Sequence, residues 1–327
     1  MQILIIQTAF IGDVVLATPV AEKLHSAFPE ASIDFLLRKG NEGLLEGHPF
    51  LREIIIWDKK QGKYRQLCKV IRQLRSRRYD YVINLQRFLT TGIITAFSGG
   101  NVTIGFDKNP LSVFFTKRYP HIINTQKAEV HEVDRNLSLL KDIIADHHTK
   151  VMPKLYPRPI DFEAVKPSGD YITISPTSVW FTKQYPADKW IAFINKVPAS
   201  YSIYLLGGKP DTEACNYIKE KATHTGINVL AGQLSFLASV ALMKNAHMNY
   251  VNDSAPMHFA SAVDAPVTAI FCSTIPAFGF GPLSTRRFIL EASNIPCRPC
   301  GLHGYKNCPQ GHFACAEIKA DDLLKAL

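Results

Sequence analysis

No stretch of the chain approaches the roughly 18 consecutive apolar residues that a membrane-spanning helix needs. The N-terminus, Met1-Gln2-Ile3-Leu4-Ile5-Ile6, has no basic leader and turns polar at Gln7. No signal peptide is expected, and the chain reads as cytoplasmic. No G-x-G-x-x-G follows the first apolar run, which removes the nicotinamide fingerprint, and the Walker A pattern is absent too. No nucleic-acid module is recognisable, and the most basic stretch lacks interleaved aromatics apart from Tyr64. Nucleic acid is therefore not an expected partner. There is no internal repeat and no low-complexity segment.

The 327 residues are 46% hydrophobic and 20% charged, an ordinary globular composition with ample material for a core. That length favours two domains over one. The formal net charge is +9 and is unevenly spread. Met1–Tyr156 carries 22 Lys and Arg against 15 Asp and Glu; the remainder carries 15 against 13. Much of the excess lies between Lys59 and Arg78. Such a face suits a phosphate-bearing partner, and equally it suits plain solvation of a helix surface.

The first half alternates strands with helices. Strands are expected at Gln2–Ile6, Ser32–Leu37, Glu53–Trp57, Tyr79–Leu85 and Val102–Gly105. Helices are expected at Asp13–Ala27, Gly62–Arg77 and His131–Ile144. Pro153, Pro157, Pro159 and Pro167 then break the periodicity. Residues 156–167 read as a linker between domains 1–155 and 168–327. Alternation restarts with strands at Tyr171–Ser175, Ser202–Leu206, Asn228–Leu230, Met248–Val251 and Val267–Phe271. Helices are expected at Asp188–Lys196, Asp211–Ala222, Ser235–Lys244 and Pro256–Val263. A terminal helix at Asp321–Leu327 is free to pack back on the first domain. The pattern predicts an α/β fold with two Rossmann-like doubly wound domains facing a central cleft.

Several strand ends carry residues suited to chemistry. The first strand runs into Gly12-Asp13 at a helix start. Gly12 permits a tight turn or close approach. Asp13 fits both a helix-capping role and that of a carboxylate accepting a proton from an acceptor hydroxyl. Tyr171–Ser175 delivers Thr177, Ser178 and Lys183, hydroxyl donors and a point charge suited to phosphate. Gly207 and Gly232 follow further strands and suit either a turn or close backbone approach. The strongest local signal is Asn252-Asp253-Ser254-Ala255-Pro256-Met257-His258. Small residues precede Pro256, which suits a first helical turn, so a diphosphate can approach free N–H groups there. Asp253 cannot itself welcome phosphate and is expected to orient the loop or a hydroxyl. His258, one turn in, fits a structural role as well as a ligand.

Cys68, Cys215 and Cys272 are scattered and expected to be buried thiols. Cys297, Cys300, Cys308 and Cys315 form C-x2-C-x7-C-x6-C, with His303 and His312 interspersed. Structural zinc fits four such cysteines, but the spacing matches no standard finger, and reduced thiols pinning a loop is the favoured reading.

Taken together, Ile-Gly-Asp after the first strand, Thr182-Lys183-x-x-Pro186-x-x-x-Trp190, and Asn252-Asp253-Ser254-Ala255-Pro256-Met257-His258-Phe259-Ala260-Ser261-Ala262 resemble the family 9 glycosyltransferases, the bacterial lipopolysaccharide heptosyltransferases. His131-Glu132-Val133-Asp134-Arg135 is similar to that family's short His-containing segment, and the cysteine cluster to one that many members carry. The resemblance covers nearly the whole chain. It implies a GT-B fold, with acceptor mainly on the first domain and donor on the second. It implies inverting, metal-independent transfer from ADP-L-glycero-D-manno-heptose, with no cofactor, to a phosphorylated lipopolysaccharide inner-core acceptor at the inner membrane face, by a peripheral enzyme. Asp13 would be the base and Lys183 would stabilise the leaving diphosphate. Thr177 and Ser178 would flank the phosphates, and Asp253, Ser254 and Ala255 would stand at the phosphate-binding helix end. The family more often has Gly where Ala255 stands, so a methyl is added where backbone approaches phosphate. No Asp-x-Asp stands in a plausible loop, which fits a Lys and a helix end meeting the leaving charge. Two other functions fit the same residues: a related transferase of another nucleotide-activated sugar, and a non-catalytic binder of nucleotide sugar or glycolipid.

Overall fold

A computed structural model describes residues 1–60, 62–123, 130–146 and 149–327. They form two compact units, Met1–Tyr156 and Pro157–Leu327.

The first unit runs β1 (Gln2–Ile6), α1 (Ile11–Val15), α2 (Thr18–Ala27), β2 (Ser32–Arg38), β3 (Leu51–Trp57), α3 (Lys63–Ser76), β4 (Tyr81–Asn84), α4 (Leu89–Phe97), β5 (Val102–Phe106), β6 (Lys117–Tyr119) and α5 (Glu132–Ser138). The sheet order is β3-β2-β1-β4-β5-β6, and every pairing is parallel. A parallel sheet is covered on both faces, and Ile3–Ile6 are accordingly fully buried. One acid sits inside it. Asp34 on β2 is fully buried and accepts from Arg52, Arg77 and the Tyr79 hydroxyl. Part of the basic stretch is thus spent internally, because a buried carboxylate needs paired, hydrogen-bonded cations.

The second unit runs α6 (Pro159–Glu163), β7 (Tyr171–Ser175), α7 (Ala187–Ile194), β8 (Ser202–Leu205), α8 (Thr212–Lys221), β9 (Ile227–Val229), α9 (Phe236–Lys244), β10 (Met248–Asn252), α10 (Ala255–Ala262), β11 (Val267–Phe271), β12 (Arg287–Glu291) and α11 (Ala320–Leu324). Its parallel sheet is ordered β12-β11-β10-β7-β8-β9. Read from its own first strand, this is the same order as in the first unit. The order reverses between β1 and β4, and between β7 and β10. At such a switch point the loops diverge and leave a crevice beyond the strand ends, where ligands bind.

Some expectations needed correction. The helix expected at Asp13–Ala27 is two, broken at Leu16–Ala17 because Pro19 lacks an N–H and opens α2. Gly12 lies inside α1 rather than in a turn before it. The helix expected to reach Ile144 ends at Ser138 and continues as tight turns. The proline-rich stretch is not all linker, since α6 begins at Pro159 and packs on α9. The terminal helix packs on α7 within the second unit, where Leu323 is fully buried and accepts from the Tyr250 hydroxyl at 3.2 Å.

Candidate active site

In the second unit, the loops after β7 and β10 flank the switch point and are tied to each other. The side-chain oxygen of Asn252, at the end of β10, accepts from Tyr185 N at 2.9 Å, and its Nδ2 donates to Thr177 O at 3.3 Å. Gln184 Nε2 donates to Ser178 O at 2.7 Å, closing the loop on itself. These bonds bring Thr177, Ser178 and Lys183 beside the start of α10. Lys183 Nζ stands 2.6 Å from Asp253 Oδ2, with side-chain exposures of 16% and 6%. The same oxygen accepts from the Thr274 hydroxyl at 2.5 Å. A largely buried ion pair therefore holds the ammonium at the crevice mouth.

Ser254 is the N-cap of α10, in extended conformation; its hydroxyl donates to Asn252 O at 3.3 Å and accepts from no helix N–H as a cap. Ser254, Ala255 and Pro256 are partly exposed while Met257 and His258 are buried. The helix thus presents its first turn, with its positive dipole end, to solvent. His258 lies behind that surface.

Gly207 and Gly232 meet through a backbone bond, Gly232 N to Gly207 O, at 2.9 Å. A Cβ at Gly207 would lie 2.7 Å from Asp211 Cβ; at Gly232, where φ is +76°, it would lie 2.9 Å from Lys209 Cα. Close approach at both positions is made by the chain itself.

In the first unit, three strand ends fix the Thr8–Ala9 loop that leads into α1 and Asp13. Asn41 Nδ2 donates to Ala9 O at 3.0 Å, Lys59 Nζ to Thr8 O at 3.1 Å, and Thr8 N and Oγ1 both donate to Gln86 Oε1. Asp13 Oδ2 accepts from Phe10 N at 3.1 Å, the geometry of a cap. Its field also reaches Arg38 and Glu132. Burial pushes the Glu132 carboxyl above the usual range, opposed by Arg135, whose Nε lies 2.7 Å away. Asn136 Nδ2, one turn further along α5, donates to Leu16 O at 3.2 Å and docks that helix on the end of α1. His121 is held down to about 4 by burial and then by Arg87 and Arg135. An ionisable cluster thus surrounds the β1 strand end.

The cysteine-bearing segment serves the second unit's loops. Cys300 N donates to Ser273 O at 3.0 Å, and Arg298 Nε donates to Thr274 O at 3.1 Å. Burial pushes the Cys315 thiol up to about 11, and the thiols of Cys300, Cys308 and Cys297 add to it. All seven cysteines are free, and among the described residues no group of three or more His, Cys, Asp or Glu side chains is arranged to hold a metal ion. Cys68, expected to be buried, is exposed because it lies on the outer face of α3. No sequence motif marks Thr274, Arg298, Arg38 or Arg87. Their signal is three-dimensional, since each lies far along the chain from the group it serves.

The profile of glycosyltransferase family 9 (heptosyltransferase) matches residues 67–307. The chain belongs to this family. It is 29% identical over 281 residues to a lipopolysaccharide heptosyltransferase 3 of Escherichia coli, covering 81% of this chain and 82% of that protein. Among solved structures, E. coli ADP-heptose lps heptosyltransferase II matches with a TM-score of 0.81 at 20% identity, covering 100% of this chain and 97% of that one. E. coli heptosyltransferase WaaC with ADP matches with a TM-score of 0.77 at 18% identity, covering 99% and 98%. The fold class is therefore GT-B, and the family 9 chain is a glycosyltransferase. Chemically, its second unit offers a buried-stem lysine and an open helix N-terminus to an anion, and its first offers a carboxylate at a strand end.

Proposed function

We propose that this chain transfers a heptose from ADP-L-glycero-D-manno-heptose to a lipopolysaccharide inner-core acceptor, with inversion at the anomeric carbon. The departing ADP carries the developing charge. Lys183 and the first amides of α10 meet that charge electrostatically, in place of a divalent cation. The observation that carries this reading is the Lys183–Asp253 pair at 2.6 Å beside the open end of α10. Asp253, itself held by Thr274, keeps the ammonium in position until a diphosphate competes for it. Thr177 and Ser178 flank the phosphates, and the joined Gly207 and Gly232 loops support the nucleoside. Asp13 accepts the acceptor hydroxyl's proton as the glycosidic bond forms. The similarity to a heptosyltransferase solved with ADP supports the nucleotide. The acceptor is phosphorylated glycolipid at the inner face of the membrane, which suits a first unit that carries most of the +9 charge.

The test is a thermal-shift panel of nucleotide sugars followed by transfer assays. ADP-heptose should give the largest shift, and Lys183→Ala should lower kcat by about 10²–10³-fold. Stabilisation by a different nucleotide sugar alone, or unchanged kcat in the variant, would contradict the assignment.

A further inference from the structure

Along the carboxyl edge of the first sheet, the chain after β4 and β5 presents apolar side chains to solvent. Phe88 is 61% exposed, Leu89 52%, Val113 67% and Phe114 68%. They stand on one built surface. Asn109 Nδ2 donates to Gln86 O and to Phe88 O, each at 3.1 Å, and a Cβ at Gly92 would lie 3.1 Å from Leu111 Cβ. The 3-10 turn Ser112–Phe114 is closed by Phe114 N to Leu111 O at 3.0 Å, and Leu111, just before it, is the residue set against Gly92 of α4. A lone exposed apolar side chain is ordinary; two phenylalanines, a leucine and a valine on one braced edge are not.

The charge around these prongs is mainly positive, although Asp107 is exposed beside them and Lys117 is paired with Asp142 at 3.0 Å. From Tyr81 to Ile123 the sequence holds Arg87, Lys108, Lys117 and Arg118 with the single acid Asp107. From Lys59 to Arg78 there is no acid at all. The outer face of α3 exposes Arg65, Lys69, Arg72 and Arg75, and its inner face buries Leu67, Val70 and Leu74. α3 lies against α4, where a Cβ at Gly99 would come 3.4 Å from Arg75 Cγ. Both helices begin at the carboxyl ends of parallel strands, so Tyr64 and Arg65 share an edge with Phe88 and Leu89.

We infer that this edge docks on an anionic lipid bilayer, with Phe88, Leu89, Val113 and Phe114 entering the interfacial layer and the exposed cations at that edge, Arg65 at the start of α3 and Lys108 after β5, facing the headgroups. Apolar prongs inside a basic rim are what an interfacial surface requires, since area burial and headgroup attraction add. A second copy of this chain is a poor occupant, because it would set two basic faces against each other. The same strand-end edge carries Asp13, so a docked unit would offer its base to a headgroup sugar. The inference rests on the reading of the acceptor as a membrane glycolipid.

The experiment is co-sedimentation of the full chain with phosphatidylglycerol–phosphatidylethanolamine vesicles and with phosphatidylcholine vesicles, at low and high salt. Binding is expected only to the anionic vesicles and should weaken with salt. Phe88→Ser with Phe114→Ser should weaken it about tenfold or more, and Arg65→Glu with Lys108→Glu should abolish it. Both variants should keep their Tm and their transfer to a water-soluble, delipidated acceptor. Absence of binding, wild-type binding by the variants, or a lipid-free dimer that the Phe variants dissociate would overturn the inference. If vesicle binding holds while the wild type transfers nothing to the soluble acceptor, the docking surface stands and the proposed function falls.

Discussion

At the scale of single residues, several side chains have two duties, and sequence shows only one of them. Asp13 was legible as a strand-end carboxylate, and its bond to Phe10 N is the cap that the same position favours. The residues around it were not legible. Arg38, Arg87 and Glu132 come from three separate segments, and only folding brings their fields together. His121 gives this cluster a measurable signature. Its imidazole, edge-on to Phe106 with ring centroids 4.7 Å apart, is held from the ordinary 6.5 down to about 4. It stays neutral in the fold while the unfolded chain takes up a proton. The unfolded state therefore binds more protons between those values, and stability is full above pH 6.5 and declines as pH falls toward 4. At about 1.4 kcal/mol per pH unit the loss reaches about 3 kcal/mol. His121→Gln should flatten the dependence of Tm on pH across that window. A slope equal to that of the wild type would contradict the burial argument.

Among secondary-structure elements, the central strands were readable because they are buried on both faces and hence continuously apolar. β1, β7 and β11 fall where their hydrophobic runs place them. The edge strands β6 and β12 were missed for the complementary reason. Lys117-Arg118-Tyr119 and Arg287–Glu291 carry charge and lie partly or largely exposed, so no hydrophobic period marks them. α4 has no helical signature because its apolar residues adjoin a glycine and three threonines, a composition that does not favour helix by itself. The start of α10 after small residues was readable, whereas the brace behind it was not. Asn252 bonds Tyr185 N and Thr177 O from the end of β10. Asn252→Ala leaves those buried groups without partners, at about 1–3 kcal/mol. Its denaturant midpoint should fall accordingly, and its KM for the donor should rise as the Thr177 loop loosens. A normal KM alongside lowered stability would separate the brace from donor binding.

At the scale of the whole molecule, the two units repeat one strand order on sequences with no visible repeat. That recurrence follows from the alternation of strands and helices, which sequence displayed, and from right-handed crossovers, which it did not need to display. Charge is the molecule-wide property that composition did reveal, although Arg77 and Lys59 prove to be used inside the first unit, on Asp34 and on Thr8 O. The central claim assigns one group to each unit: Asp13 as the base, Lys183 for the leaving diphosphate. The most direct test is the single-turnover transfer rate of Asp13→Asn with ADP-heptose, measured beside its donor Kd and Tm. Asparagine can still accept from Phe10 N, so folding and donor binding should be unchanged while the rate falls by about 10²–10⁴-fold. A near-normal rate would contradict the claim and leave Asp13 a helix cap.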